Sequence, residues 1–256
     1  MYLPAVEFHQ TSTLSEASEL LQRYGESARL LAGGTDLLVD LKAKRVSADH
    51  VISINRIAEL KGITIDGGAL RIGALTTITE LEESPLVRER FSAIRDATQV
   101  MAVRQVRNLA TVGGNLASAV PCADLPPIFM AMNGSAVLWS VDGERLVPLH
   151  EFFRGARRTA RRETEILSGV VIPEMAPGFG AAYARFGLRE GNAIAVAAVG
   201  AGIRLASDGT IDAARIILGA VSPIPKVASS ASAFAALAVS GNAALGTGYG
   251  AAGLSC

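Results

Sequence analysis

The sequence lacks the features that mark several large classes of protein. Its two cysteines, Cys122 and Cys256, are too few for a disulfide framework or for the four thiolates of an iron–sulfur cluster. Lysine plus arginine equal aspartate plus glutamate at 24 each, so the basic excess of a nucleic-acid binder is missing. No apolar run reaches the ~18 residues of a membrane span, and the first residues do not form a signal peptide. We therefore expect a cytoplasmic protein with no nucleic-acid partner and no membrane span.

Common catalytic motifs are also absent. No G-x-G-x-x-G follows the first predicted strand, and neither G-x-x-x-x-G-K-[ST], G-x-S-x-G nor H-E-x-x-H occurs. The three histidines, His9, His50 and His150, lie far apart along the chain, so no metal site is predicted from them. Nothing near Cys122 marks it as a nucleophile, which favours a small buried residue. The sequence thus predicts no catalytic and no metal-binding side chain.

What the sequence does contain is a pair of glycine turns. The stretch 29–42 is typical of a short apolar strand, a turn at Gly33 and Gly34, and an amphipathic helix capped by Thr35 and Asp36. Strand, glycine turn and helix is the arrangement in which backbone N–H groups converge on an anion. One such turn is weak evidence, but a second occurs within 109–117. Two anion-binding turns without a general base indicate a protein that positions a large cofactor.

Hydrophobic periodicity predicts an α+β protein in which helices and strands alternate before a final run of strands. The predicted helices are 13–24, 36–44, 76–81, 85–101 and 123–132, and the predicted strands are 29–32, 51–54, 62–65, 69–74, 135–140, 145–148, 165–173, 178–186, 193–205 and 211–221. We expect one domain over 1–173, with parts at about 1–57 and 58–173, and an incomplete, mostly sheet domain over 174–226. Residues 227–256 carry no charge, which predicts a disordered or non-native tail.

Taken together, the segments Leu30–Leu37, Thr111–Asn115 and Ser118–Met130 resemble the FAD-binding subunit of the molybdenum hydroxylases. That family includes xanthine dehydrogenase, aerobic carbon monoxide dehydrogenase and nicotinate dehydrogenase. The resemblance covers residues 1 to about 226. It implies the two-subdomain FAD-binding fold of the vanillyl-alcohol-oxidase and molybdenum-hydroxylase flavoproteins, followed by a smaller sheet-plus-helix domain that is truncated here.

The resemblance also implies which residues bind FAD. The first turn would wrap the pyrophosphate with Leu30, Leu31, Ala32, Gly33, Gly34, Thr35, Asp36 and Leu37. The second would form the opposing cradle with Thr111, Val112, Gly113, Gly114 and Asn115, the Thr111 hydroxyl and the Asn115 amide acting as donors. Further positions of the family's pocket correspond to Met101, Ala102, Asp124, Leu167, Arg185 and Ile194. Arg185 stands where the family usually has lysine, and a guanidinium is not equivalent to an ammonium.

For function, the resemblance implies electron transfer. A small partner subunit with two [2Fe–2S] clusters would pass electrons to the FAD, and a large subunit would carry molybdopterin. NAD, a quinone or another acceptor would then receive the electrons. Two alternatives stay open: a self-sufficient FAD-dependent oxidoreductase acting on its own small substrate, and a nucleotide-binding or scaffold module without redox chemistry.

Overall fold

The computed structural model describes residues 2–189 and 191–233. The helices in these ranges are α1 (Leu14–Tyr24), α2 (Leu37–Lys42), α3 (Ile78–Glu83), α4 (Pro85–Arg90), α5 (Ser92–Gln99), α6 (Arg104–Arg107), α7 (Val112–Ala117), α8 (Leu125–Ala131), α9 (Leu149–Phe152) and α10 (Ser229–Ala233). The strands are β1 (Glu7–Gln10), β2 (Ala28–Leu31), β3 (His50–Ser53), β4 (Ile63–Asp66), β5 (Ala69–Gly73), β6 (Ser135–Ser140), β7 (Gly143–Pro148), β8 (Phe153–Gly155), β9 (Arg158–Thr159), β10 (Ile166–Ile172), β11 (Phe179–Gly187), β12 (Ala195–Leu205), β13 (Ile211–Gly219) and β14 (Lys226–Val227).

The amino-terminal part is a small parallel sheet in the order β1–β3–β2, covered by a helix on each face. Successive strand residues point to opposite faces, so Ile52 packs beneath α1 while Val51 packs with α2. Strand β1 was not predicted, because its four residues are mostly exposed and show no apolar pattern. The expectation that the histidines lie apart is wrong for His9 and His50, since pairing of β1 with β3 brings their ring nitrogens to 3.1 Å.

The middle of the chain forms an antiparallel sheet in the order β4–β5–β10–β6–β7. The two predicted hairpins, β4–β5 and β6–β7, flank β10, which is the last of these strands in the chain and lies at the centre of the sheet. Helices α3, α5, α7 and α8 contribute to the large apolar core beside this sheet, in which Phe129 and Phe152 are fully buried. Helix α7 packs on β5 and β10, and this contact positions the second glycine turn.

The last sheet, β11–β12–β13–β14, is antiparallel and packs against α5 and α8. Close packing requires glycine at residue 200, where a Cβ would lie 2.4 Å from the Pro127 carbonyl oxygen. Residues 227–256 were expected to lack structure, but Val227 belongs to strand β14 and Ser229–Ala233 form helix α10. The remainder of that segment lies outside the described residues. No helix among the described residues is long and apolar enough to cross a membrane.

One predicted helix is wrong in its extent. The pattern over 85–101 predicts a continuous helix, but the chain leaves helical geometry at Phe91, with φ −137° and ψ 45°, and α5 begins at the next residue. The apolar residues Val87, Phe91 and Ile94 are all buried on both sides of this break. Helical spacing of apolar residues therefore continues through the interruption, which is why periodicity did not reveal it. Helix α2 is likewise shorter than predicted, ending at Lys42.

Candidate functional site

The two glycine turns are in direct contact. Gly33 follows β2, and a Cβ built on it would lie 1.8 Å from the carbonyl oxygen of Leu109 and 3.2 Å from the Cα of Ala110. These two residues immediately precede the second turn. No residue with a side chain can therefore occupy position 33 without separating the turns. The structure thus brings together two motifs that are distant in sequence, as their pairing in one site requires.

The predicted second glycine turn is in fact the first turn of helix α7, which contains Gly113 and Gly114, and its backbone N–H groups are occupied by the protein itself. The N–H of Val112 donates to the Thr76 carbonyl at 2.9 Å, and that of Gly113 donates to the Ala74 carbonyl at 2.8 Å. The N–H of Gly114 donates to the Thr111 hydroxyl oxygen at 3.0 Å, a normal helix cap. This turn therefore presents side chains and bare glycine surface rather than free N–H groups, which departs from the expectation of two anion-binding turns.

The first turn keeps its N–H groups available. Within residues 2–189 and 191–233, the backbone N–H groups of Gly33, Gly34, Thr35 and Asp36 donate to no protein acceptor. Asp36 occupies the N-cap position of α2 but its side chain forms no capping hydrogen bond, so the predicted cap is not made. Gly34 adopts a φ of +74°, which favours glycine. Unpaired N–H groups at a helix start can donate to an anion, and this turn holds the free backbone donors of the site.

A cavity of about 200 Å³ opens beside the turns. It is lined by Asp36, Met101, Ala102, Asn115, Ser118, Val120, Cys122, Ala123, Asp124, Asn192, Ala193 and Ile194. Six residues that the resemblance assigned to the pocket therefore meet in one place. Ala102 has a φ of +41°, a strained conformation of the kind that clusters at ligand sites. Ile194 is 72% exposed and forms an apolar rim.

Asn115 carries the clearest sign that a ligand belongs in this cavity. Its amide oxygen Oδ1 is buried, yet it accepts no hydrogen bond from any described residue. An unsatisfied buried acceptor costs about 1–3 kcal/mol, so such atoms are rare unless a ligand or water pairs with them. The unpaired atom is an acceptor, which matches a hydroxyl group of a ligand better than a phosphate. Asn115 was predicted as a donor, and its unpaired oxygen adds an acceptor to the site.

Asp124 contacts two residues of β11 that do not line the cavity. Its Oδ1 accepts a 2.6 Å hydrogen bond from the Tyr183 hydroxyl and lies 3.5 Å from Nη1 of Arg185. Burial raises the pKa of the Asp124 carboxyl, while the Tyr183 hydrogen bond and the Arg185 charge act against that rise. Burial, together with the neighbouring carboxylate, also raises the pKa of the Tyr183 phenol, which stays protonated as the donor. Arg185 further donates to the Ala193 carbonyl at 3.1 Å. Arg185 therefore supports the cavity wall without lining it.

Tyr183 was missed at the sequence level, although a usable signal existed. Along β11, alternate residues are half-buried, and Tyr183 and Arg185 fall on the same face. Period-two alternation would have placed the phenol beside the predicted arginine. Its partner Asp124 is 59 positions away, so only the fold could supply that contact.

Several residues predicted to bind the cofactor serve chiefly to build the framework. Leu30 and Ala32 pack on the α1 side of the first sheet, while Leu31 and Leu37 pack on the α2 side. Val112 is fully buried, and Leu167 lies inside the core opposite Leu138 of β6. Thr111 is also buried and caps α7. These residues position the turns, and none of their side chains lines the cavity.

Cys122 lines the cavity as a free thiol. Burial is the main reason that the pKa of this thiol is raised, and the nearby Asp124 carboxylate adds to the effect. A thiol that stays protonated is a poor nucleophile.

A second link between the turns was not predicted. The buried carboxylate of Asp40, on α2, pairs with Arg157 and with Arg45, the latter at 3.0 Å. The N–H of Arg157 donates to the Ala119 carbonyl at 2.8 Å, close to the end of α7. The Asp40–Arg157 pair thus ties the helix after the first turn to the segment after the second.

Free N–H groups on one turn, an unpaired acceptor on the other, and a cavity between them define a cofactor-binding site in a flavoprotein-type α+β fold. Residues 4–175 match the family described as the FAD binding domain in molybdopterin dehydrogenase. The chain therefore belongs to this family: it is the flavoprotein subunit of an oxidoreductase, and its cofactor is FAD.

Relatives of known identity agree with this assignment. The chain is 37% identical over 224 residues to the carbon monoxide dehydrogenase medium chain of Hydrogenophaga pseudoflava. The aligned region covers 87% of this chain and 77% of that one. It is 32% identical over 220 residues to a putative xanthine dehydrogenase FAD-binding subunit of Escherichia coli K12, and this alignment covers 85% of this chain and 75% of that one. A crystal structure of the Hydrogenophaga pseudoflava carbon monoxide dehydrogenase superposes with a TM-score of 0.87 at 36% identity, covering 91% of this chain and 80% of that chain.

Proposed function

We propose that this chain is the electron-transfer subunit of a molybdenum hydroxylase complex. It takes electrons from the [2Fe–2S] clusters of a small partner subunit and passes them to NAD, a quinone or another acceptor. A large partner subunit carries the molybdopterin and oxidises the substrate. FAD, when bound, supplies the redox chemistry, and the residues of this chain bind it, orient it and shield it.

Each part of the site has a role in holding the cofactor. The N–H groups of Gly33, Gly34, Thr35 and Asp36, which have no protein acceptor among the described residues, would donate to the pyrophosphate oxygens. Asn115 Oδ1, which has no protein donor in the described part of the chain, would accept from a hydroxyl of the cofactor. The apolar surfaces of Met101, Ala102 and Ile194 line the same cavity, where they would pack against the flat, apolar parts of FAD.

The observation that supports electron transfer rather than substrate chemistry is the state of the titratable groups in the cavity. Of the residues that line it, Asp36, Cys122 and Asp124 carry titratable side chains. Asp124 is engaged by Tyr183 and Arg185, the raised pKa of Cys122 keeps its thiol protonated, and Asp36 lies at the exposed helix start. A self-sufficient flavoenzyme requires a base or acid poised at its substrate, and neither Asp124 nor Cys122 is free to act as one.

Purification of the chain together with its native partners tests the proposal. The complex is isolated through a tag on this chain, and its FAD, iron and molybdenum are quantified. Two [2Fe–2S] clusters and one molybdopterin predict about four iron atoms and about one molybdenum atom per FAD. Dithionite-reduced complex should then reduce NAD, a quinone or another acceptor, and loss of FAD should abolish that transfer. A flavin-loaded chain that elutes without iron and turns over a small substrate alone would favour the self-sufficient enzyme instead.

A further inference from the structure

Three potential metal ligands meet on the first sheet. His9 Nε2 and His50 Nδ1 lie 3.1 Å apart. One oxygen of the Glu7 carboxylate lies 3.3 Å from His50 Nδ1, and the other lies 3.6 Å from His9 Nε2. Glu7, His9 and His50 are here called the β1–β3 cluster. Among the described residues it is the one group of three or more histidine, cysteine and acidic side chains whose ligand atoms converge closely enough to hold an ion.

The fold determines this meeting. Strand β1 pairs in parallel with β3, and the register sets Glu7 opposite His50. Residues two apart on a strand share a face, so His9 lies on the same side as Glu7. Tyr24, the last residue of α1, stacks on the His50 ring with centroids 3.6 Å apart and planes inclined by 16°. The tyrosine ring covers the pair from above and restricts how the His50 imidazole can turn.

We propose that the β1–β3 cluster binds a divalent transition-metal ion, with Zn²⁺ as the best match. Imidazole nitrogen and carboxylate oxygen are ligands that Zn²⁺ takes at about 2.0–2.2 Å, and two ligands of a tetrahedral ion at that range lie about 3.3–3.5 Å apart. The two ring nitrogens lie 3.1 Å apart, and a different oxygen of Glu7 lies near each of them, at 3.3 Å from His50 and 3.6 Å from His9, so these separations are close to that value. The ligand atoms need little movement to coordinate an ion.

Lone-pair chemistry gives a second reason. The two facing ring nitrogens and the Glu7 carboxylate can all act as hydrogen-bond acceptors. A hydrogen on one ring nitrogen therefore cannot satisfy all of the close contacts in the cluster. With a neutral His50 acting as acceptor for His9, the lone pair of its Nδ1 faces a carboxylate oxygen at 3.3 Å, which is repulsive. A cation between the atoms makes all three contacts attractive. Two neutral imidazoles and one carboxylate also leave a single negative charge to balance the ion.

The position of the cluster points to a structural ion outside the flavin site. His50 begins β3, whereas Gly33 follows the end of β2, and the two strands run parallel. The cluster and the glycine turn therefore lie at opposite edges of the sheet. The ion would fasten the edge strand β1 to β3. Glu7 is 63% exposed on its side chain, so the remaining coordination position is open to water.

Zinc titration of the purified full-length chain tests the proposal. Equilibrium dialysis against Zn²⁺ followed by metal analysis should find about one ion per chain. The melting temperature should rise by roughly 5–10 °C when free Zn²⁺ is 100 times the Kd. His50→Phe keeps a flat ring against Tyr24 but removes a ligand, and it should lose this ion and the thermal shift. Flavin content should be unchanged in all samples, because the cluster lies away from the turns.

Two further variants control for misfolding of His50→Phe and for Zn²⁺ binding by a surface histidine outside the cluster. Glu7→Gln changes an exposed side chain, so it folds normally and should weaken Zn²⁺ binding. His150→Phe is the matched control, since His150 is exposed and has a single carboxylate, that of Glu151, at 3.4 Å. This control should retain the ion and the shift. The proposal would be overturned if the wild-type chain bound no ion, or if His50→Phe and Glu7→Gln both bound Zn²⁺ as well as the wild-type chain does. The cluster would then be held by hydrogen bonds alone.

Discussion

Gly33 lies directly against the carbonyl oxygen of Leu109, and a Cβ at residue 33 would stand 1.8 Å from that oxygen. The glycine therefore serves a different purpose from the one its sequence suggests. A glycine in such a turn is expected to leave volume for phosphate, but here it leaves volume for the second turn. The closeness of the two turns depends on this one missing side chain.

Gly33→Ala should consequently lose FAD. The methyl group must displace the Leu109 backbone, which separates the free N–H groups of the first turn from the second turn, and we expect at least a tenfold loss of affinity, about 1.4 kcal/mol. The measurement is the FAD content and the FAD dissociation constant of the purified variant. Gly180→Ala is the control, because a Cβ there meets nothing within 4 Å. Full FAD retention by Gly33→Ala would contradict the contact as the cause.

Asn115→Ala should separate binding from stability. The substitution removes a buried acceptor that lacks a partner, so the apoprotein should be as stable as wild type or more stable by up to about 1 kcal/mol. FAD affinity should nevertheless fall roughly tenfold, as expected for one lost hydrogen bond in a buried site. Urea unfolding of apoprotein and FAD titration provide the two values. Asn108→Ala removes an exposed hydrogen bond to Thr79 and should leave FAD affinity unchanged. A destabilised Asn115→Ala apoprotein would mean that the amide is structural.

Tyr183→Phe should make stability depend more strongly on pH. The pKa of Asp124 is raised in the folded chain, mainly by burial, so this group makes the unfolding free energy fall as pH rises above its unfolded value of about 3.9. The Tyr183 hydrogen bond opposes that rise in pKa, and its removal raises the pKa further. We expect a loss of about 1.5–3 kcal/mol at pH 7, and this loss should shrink as the pH falls and Asp124 takes up a proton.

Urea unfolding of apoprotein at pH 7 and pH 4.5 measures this difference. Tyr2→Phe is the control, because Tyr2 is 95% exposed and should show no effect at either pH. An equal loss at both pH values would indicate that Tyr183 contributes through packing alone and does not hold the ionised carboxylate.

Asp40→Asn should weaken the second link between the turns. Asp40 is buried, but its partners Arg157 and Arg45 are about half exposed and regain water when released. The loss of unfolding free energy should therefore be about 1–2 kcal/mol, below the 3–5 kcal/mol of a fully buried pair. FAD affinity should fall in parallel, because the Arg157 loop is bonded to the segment that follows α7. Asp142→Asn, in the exposed turn between β6 and β7, should change neither quantity. An unchanged FAD affinity in Asp40→Asn would show that the link does not position the site.

The parts of this fold that could be predicted from sequence are those with local causes. Hairpins flanking Asp66–Gly68 and Val141–Asp142, and the helix after the first glycine turn, follow from turn residues and apolar spacing within a few positions. Helix α7, which contains the second pair of glycines, was not predicted. The break at Phe91 is also local but leaves the apolar spacing intact, so no pattern reveals it. Strand β1 has no apolar pattern, because three of its four residues are exposed.

Site residues divide along the same line. Glycine pairs are visible as motifs, and Ala102, Asn115, Asp124 and Ile194, which the resemblance assigned to one pocket, line the same cavity. The contact between Gly33 and Leu109, the Tyr183–Asp124 hydrogen bond and the pairing of His9 with His50 each join residues that are distant in sequence. Such contacts depend on sheet order and register, and a single sequence does not contain that information in readable form.

The central claim is that FAD is held by its phosphates at the free N–H groups of the first turn, with the rest of the cofactor in the adjoining cavity. Calorimetric titration of apoprotein with FAD and with riboflavin tests it most directly, because riboflavin has the same ring but no phosphate. We predict binding of about one FAD per chain and an affinity for riboflavin lower by roughly 100-fold or more, about 2.7 kcal/mol. Equal affinity for the two flavins, or no binding of FAD by folded apoprotein, would contradict the account.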